Sequence, residues 1–398
     1  MPSVAILLLC ACLASPARAA VLPTDLETKV GTNYRPVDAD ERAIWQGLER
    51  LEGQVRTSPQ RLIAPELDAY TRRVVERLIG RPAPDLRIYL MRDASFNASM
   101  FPTGMMIVNT GLLARARNEA QFAAVLGHEA GHYFRRHSLD RYRDLRHKSE
   151  LAELSAAAAH PGFYGWDSGS ESWNLISQLI VMSVFKFSRD QESEADAFGL
   201  MLMARAGYPP RAASEMCKQL IDERRASAAA RDKRYSDGAG STLSTHPSNE
   251  RRIADLVDTA EYLARKGAPP GRENPGEWDA VIRPYQAMLL REQIYLNDPG
   301  ASLYLLESFA KGGWTGLLRF NEGEVYRLRH ANGDDLKAAA AYAAATALAD
   351  ASPEAWRAHG YALLKAGHKA AAYEALNRYL AMKPETPDAA MIRFTLAH

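Results

Sequence analysis

The residues best equipped for chemistry are His128-Glu129-Ala130-Gly131-His132, an H-E-x-x-H pattern inside a strongly helical stretch. Histidines four apart stand on one face of a helix, about one turn from each other. Both imidazoles can then reach a single tetrahedral cation, and Zn2+ takes neutral imidazole nitrogen at roughly 2.0–2.1 Å. Glu129 sits one step round the helix, placed to draw a proton from a metal-activated water rather than to ligate the metal. Such a pattern also arises by chance, in on the order of one chain in a hundred. It therefore needs a third ligand and elements that hold it. Zinc hydrolases keep three protein ligands and leave the fourth position for water. Two candidates for the third ligand lie in Glu192-Ser193-Glu194-Ala195-Asp196 on a second predicted helix.

The helix that carries the histidines opens at Asn118, a cap residue with Gln121 three positions on, and buries Phe122, Val125, Leu126 and Tyr133. Arg135, Arg136 and His137 crowd its C-terminal end, where the helix dipole favours positive charge, and His137 reads as a cap or surface group. Upstream, Leu67, Tyr70, Val74, Val75 and Leu78 mark another helix, which enters through Pro65 and ends at Gly80. Residues 86–90 and 105–108 read as strands, with a loop at 97–99. Residues 155–172 read as a loop, and a buried helix is expected from Trp173 to Phe187, continuing to Gly207. A polar stretch over 226–245 leads into His246-Pro247, and a further helix then carries Ile253, Leu256, Val257, Ala260 and Leu263 on one face.

Composition narrows the setting. A length of 398 residues allows two or three domains, and a net charge of +1 with interspersed signs gives no footing for nucleic acid. Residues 1–19 read as a secretory signal peptide: a short apolar run, a Ser15-Pro16 break and an Ala17-Arg18-Ala19 cleavage pattern. That run falls short of the about 20 apolar residues of a membrane span. Cys12 leaves lipid anchoring open as an alternative. Only Cys217 of three cysteines would survive cleavage, so an intramolecular disulfide is excluded from the mature chain.

The boundary falls at the Gly- and Pro-rich linker 267–276, between a domain over 20–266 and an all-helical domain over 277–398. Pro353 to Pro384 matches the tetratricopeptide pattern at Trp356, Gly360, Gly367, Ala372 and Pro384, with a degenerate copy from Val325 to Pro353. A plain helical bundle is the alternative.

Together the H-E-x-x-H and the Glu192-x-x-Ala195-Asp196 pattern resemble the gluzincin metalloproteases of the HtpX, Oma and BepA-like type. The similarity extends over about Arg61 to Leu256, through Asn97-Ala98, Pro102, Gly104 and Val108 to Leu113, and through Thr245-His246-Pro247. The resemblance implies an α+β, mainly helical fold: a zincin-like metallopeptidase domain with a small sheet, followed by the helical repeats. It implies one Zn2+ held by His128, His132 and Glu192, Glu129 as general base, and Asp196 steadying a ligand imidazole. Glu194 is left as a solvated charge. Met105, Met106 and Ile107 would form an edge strand receiving a peptide substrate, or would simply build the sheet. His246 would stabilise the oxyanion, fill the fourth coordination position in a latent enzyme, or pack on the scaffold. The expected function is a periplasmic zinc endopeptidase acting on polypeptides, with envelope or outer-membrane assembly proteins as partners through the repeats. The alternative is a chaperone or assembly scaffold with minor proteolysis.

Overall fold

Alternation in two short apolar runs builds the sheet at the centre of the first half of the chain. Strands β1 (Arg87–Met91), β2 (Ala98–Met100) and β3 (Met105–Asn109) lie in the order β1-β3-β2, with β3 parallel to β1 and antiparallel to β2. Successive side chains point to opposite faces. Leu90, Met106 and Val108 join the main core with α2 (Pro65–Ile79), while Tyr89, Met91 and Met105 meet Ile44, Leu48 and Val55 of α1 (Ala39–Thr57). This computed structural model describes residues 34–80, 85–147, 187–236, 249–268 and 270–397. The expected leader with Cys12, the 155–172 loop, residues 173–186 and His246 lie outside them.

The position of β3 corrects one expectation. Met105, Met106 and Ile107 pair with Arg87–Tyr89 on one side and with Ser99 and Met100 on the other, so this is the central strand. Its main-chain groups are committed on both sides, and a peptide cannot add there. The edges are β1, whose Leu90 O accepts from Leu62 N–H at 2.8 Å on its outer side, and β2.

After β3 come α3 (Thr110–Arg115), α4 (Glu119–Arg135), α5 (His137–His147), α6 (Arg189–Ala206), α7 (Arg211–Ala229) and α8 (Glu250–Arg265). Here α6 does not continue an earlier helix: Ser188 is extended and forms a capping box with Gln191, so the helix starts afresh. Gly207, left-handed at φ +77°, ends it.

Residues 267–276 are rich in Gly and Pro, and residues 271–274 among them are held against the rest of the chain. Arg272 N–H donates to Gly207 O (2.9 Å), Ala120 N–H donates to Glu273 O (3.3 Å), and Asn274 Nδ2 donates to Glu119 (2.9 Å). Gly271 has φ +75°, and a Cβ there would lie 2.3 Å from Pro209 N. Beyond, Trp278 of α9 (Pro275–Ile282) is 1% exposed and donates its indole N–H to Ala116 O at 2.8 Å. The apolar core therefore runs on through α10 (Gln286–Tyr295) and α11 (Pro299–Phe309) to Val325 of α12 (Gly316–Arg329).

The remaining helices are α13 (Asp334–Thr346), α14 (Pro353–Lys365), α15 (Lys369–Met382) and α16 (Ala389–Ala397). They pack as successive neighbours, α12 on α13, α13 on α14 and α14 on α15. One offset carries Gly316 to Pro353 and Gly323 to Gly360, and Val325, where the sequence pattern starts its earlier copy, lies inside α12. No helix among the described residues is long and apolar enough to cross a membrane.

Candidate metal centre

Helix α4 is anchored at its first residues before it presents any chemistry. Asn118 accepts from Gln121 N–H (2.8 Å), and Gln121 in turn accepts from Arg117 N–H (2.9 Å). Glu119 is 1% exposed and accepts from Tyr208 (2.6 Å), Arg77 (2.6 Å), Asn274 (2.9 Å) and Tyr70. Burial pushes its carboxyl up, but the hydrogen bonds from Tyr208, Tyr70 and Asn274 and the charge of Arg77 outweigh burial and hold it below the usual range. An anion at a helix N-terminus is also favoured by the dipole.

Further along, α4 lies backbone to backbone on α6. A Cβ on Gly131 would come 2.8 Å from Ala195 O, and one on Gly199 would come 2.9 Å from the main chain of Gly127 and His128. This closeness sets His128 and His132 against Glu192. The two Nε2 atoms are 3.1 Å apart, and the Glu192 oxygens lie 3.6 Å from His128 Nε2 and 3.5 Å from His132 Nε2. His128 and His132 are 7% and 1% exposed.

The opposite edges of both imidazoles are engaged. His128 Nδ1–H donates to Asp196 at 2.8 Å. Arg252 of α8 grips the same carboxylate through Nε and Nη2, each at 2.8 Å, and its Nη1 stands 3.6 Å from Glu192. Burial raises the Asp196 carboxyl, but Arg252 and then His128 hold it far below the ordinary range. Burial lowers Arg252, and Asp196 more than offsets that, so the pair stays charged. His132 Nδ1 meets His137 Nδ1 at 2.9 Å, and His137 Nε2 meets Glu194 at 3.2 Å. Burial pushes His137 down, against the opposing pull of Glu194. Phe187 stacks on the His132 ring with centroids 3.8 Å apart.

The donor set fits a cation. With Nδ1 donating on each histidine, both Nε2 atoms and a carboxylate turn lone pairs towards one point. Nitrogen and oxygen donors about 2.0–2.1 Å from a tetrahedral ion stand about 3.3–3.4 Å from one another. The two Nε2 atoms at 3.1 Å, with Glu192 Oε1 3.5 Å from His132 and Oε2 3.6 Å from His128, lie near that value. Two imidazoles and one carboxylate suit zinc and leave an open position. Glu129, 3% exposed, accepts from Met100 N–H of β2 at 3.3 Å.

Comparison with known proteins agrees with this geometry. Residues 62–260 match the profile of peptidase family M48. The chain belongs to that family. Among relatives, a provisionally named beta-barrel assembly-enhancing protease of Vibrio cholerae is 26% identical over 66% of this chain and 54% of its own. The mitochondrial metalloendopeptidase OMA1 of Schizosaccharomyces pombe is 34% identical over 48% of this chain and 52% of its own. The beta-barrel assembly-enhancing protease of Escherichia coli is 25% identical over 53% and 42%. The chain thus spans about half the length of the curated relatives it matches.

Family membership places the sequence readings in context. His128, His132, Glu192, Glu129 and Asp196 are brought together, whereas His246 lies outside the described residues. His137 is corrected: at 3% exposure it is a buried partner of a candidate ligand, not a surface cap. Glu194 is corrected likewise, since Arg135 and His137 both engage it. The sequence reading missed Arg252 and the three contact glycines. Arg252 falls one turn before Leu256 on the buried face of α8, a position where a cation implies a buried anion. Gly127 with Gly131, and Ala195 with Gly199, are small residues four apart on each helix.

Proposed function

We propose that the chain is a zinc-dependent endopeptidase of envelope proteins, exported to the periplasm, with Glu129 as general base. The observation that carries this reading is the buried convergence of His128, His132 and Glu192 at tetrahedral donor spacing, beside an engaged Glu129. Zinc bound there supplies a Lewis acid that acidifies water and polarises a peptide carbonyl. Glu129 takes the proton from the attacking water and delivers it to the leaving amine nitrogen. Asp196, fixed by Arg252, keeps the His128 Nδ1 proton in place and the Nε2 lone pair directed at the metal.

Strand β2 is the docking edge in this reading. Ser99 pairs with Ile107, so by alternation the main-chain groups of Ala98 and Met100 face away from β3, and Met100 N–H reaches Glu129. A substrate added along Ala98 brings its scissile bond beside the base. Helices α12 to α15 are read as two tetratricopeptide-like units that recruit a client. Ala372 and Leu376 at 0% exposure and Tyr379 at 4% fill the last hairpin as that repeat requires. The names of the Vibrio and Escherichia relatives favour an outer-membrane assembly client.

Glu129→Gln tests the enzyme reading. It should retain one zinc per chain while cleavage of an unfolded polypeptide falls by about 10²–10⁴. Retained cleavage removes Glu129 as the general base, whereas a cleavage-dead variant that fully rescues a deletion strain defeats the enzyme reading and leaves the scaffold alternative.

A further inference from the structure

The two candidate ligand imidazoles are braced in different ways. His128 leans on a carboxylate directly, through Asp196. Behind His132 stands another imidazole, and the carboxylate comes only after it: His132 Nδ1, His137 Nδ1, His137 Nε2, Glu194, then Arg135. With a neutral His137, proton bookkeeping along this chain has one consistent solution. An ionised Glu194 only accepts, so His137 Nε2 carries the proton and His137 Nδ1 carries the lone pair. His132 Nδ1 must therefore donate, and the His132 lone pair is left on Nε2, towards His128 and Glu192. One distant carboxylate thus sets the tautomer of two rings in series.

Local backbone geometry is arranged to make this contact. Arg136, between the two helices, is left-handed at φ +64°, a conformation that costs a non-glycine residue about 1–2 kcal/mol. Its side chain is gripped by Glu41, itself 1% exposed, and lies over the Tyr34 ring at 4.7 Å. The turn held by this clamp brings His137 against His132, with Phe187 stacked on the His132 ring.

We propose that His137 is a positioning residue for the metal, acting through His132, and that Glu194 sets its orientation. The proposal rests on the reading of the site as a zinc centre. Losing such a partner of a ligating histidine typically costs 10–100-fold in metal affinity. His137→Leu fills the volume but cannot accept a hydrogen bond; His137→Asn offers an oxygen near the Nδ1 position. Zinc affinity would be read by competition with a chromogenic chelator, alongside the d–d spectrum of the cobalt-loaded full chain and the melting of the metal-free protein.

The expected result is a 10–100-fold loss of zinc affinity in His137→Leu with an altered cobalt spectrum, and recovery to within several-fold of wild type in His137→Asn. Glu194→Gln should fall between them, and it carries the test with His137→Asn if the leucine variant does not fold. A wild-type chain that binds no zinc overturns the metal-centre reading itself. Wild-type binding with unchanged affinity in His137→Leu overturns the role of His137 alone. Equal losses in Leu and Asn that track a loss of metal-free stability reduce it to packing and overturn it as well.

Discussion

Helix pair α4–α6 and helix pair α14–α15 both close on glycine, yet the glycines meet different things. Gly131 and Gly199 face main chain, at Cβ distances of 2.8 and 2.9 Å, and main chain in a helix cannot step aside. Gly360 on α14 faces the Leu376 side chain at 2.7 Å, with main chain no nearer than Ala372 O at 3.3 Å, and a side chain can change rotamer. The charges differ in the same sense. Around α4–α6 the Arg252–Asp196 pair is only 14% exposed on either side, whereas Lys383–Glu354 across α14–α15 is 48% and 44% exposed. The site is thus held by contacts with no slack, as convergent ligands require, while the C-terminal hairpin is held by contacts that tolerate adjustment.

Removing the buried cation should break this contrast most severely. Arg252→Leu leaves Asp196 and Glu192 facing the cluster without their guanidinium, and breaking a buried pair from one side costs about 3–5 kcal/mol. Denaturant unfolding of the metal-free protein measures it. The folded-state pKa of Asp196 is depressed, so the stabilisation is complete above its ordinary value of 3.8 and fades as pH falls below it. In the variant burial acts without Arg252, so acid sensitivity should begin at higher pH. An Arg252→Leu protein with wild-type stability and the same acid transition would mean that the clamp is no firmer than a surface pair.

Gly199→Ala comes next. The new methyl group gains about 1 kcal/mol of helix propensity but must push against Gly127 and His128 main chain, and such overpacking costs about 1–3 kcal/mol. More telling is the metal: parting α4 from α6 moves Glu192 away from both histidines, so zinc affinity should drop at least about tenfold. Calorimetric zinc titration would decide it. Unchanged affinity would show that the spacing of the ligands does not depend on the glycine contact.

What could be read from the chain follows from how far each feature depends on distant geometry. His128 and His132 were legible because fixed helical spacing and donor chemistry speak for themselves, whereas Glu192 and Asp196 were assigned through the family resemblance of their pattern. Arg252 was available on the same logic, as a charge on the buried stripe of α8 with Leu256 and Ala260. The burial of His137 was not, since it follows from a left-handed Arg136 that no glycine or asparagine announces, held by Glu41 from a helix far earlier in the chain. Nor was the central place of Met105–Ile107: strand spacing shows that a strand exists, while its neighbours depend on the path of the crossover. The close contacts of residues 271–274 were hidden for a similar reason, because Gly271 and Pro209 look alike whether loose or pressed together.

Gly360→Ala gives the smallest expected effect and the sharpest version of the contrast. Its added methyl meets Leu376 Cγ and Cδ2 at 2.7 and 2.8 Å, so Leu376 must shift or change rotamer at about 0.5–1.5 kcal/mol. Helix propensity returns about 1 kcal/mol, and the net change should lie within about 1 kcal/mol of zero. Zinc affinity should be the same as wild type, and so should cleavage of a short peptide that does not need the C-terminal helices. Put beside Gly199→Ala, the same substitution then separates stability from metal binding in one helix pair and leaves both nearly untouched in the other. A large stability loss at Gly360 would mean that Leu376, at 0% exposure, is as immovable as backbone and that the two pairs are built alike.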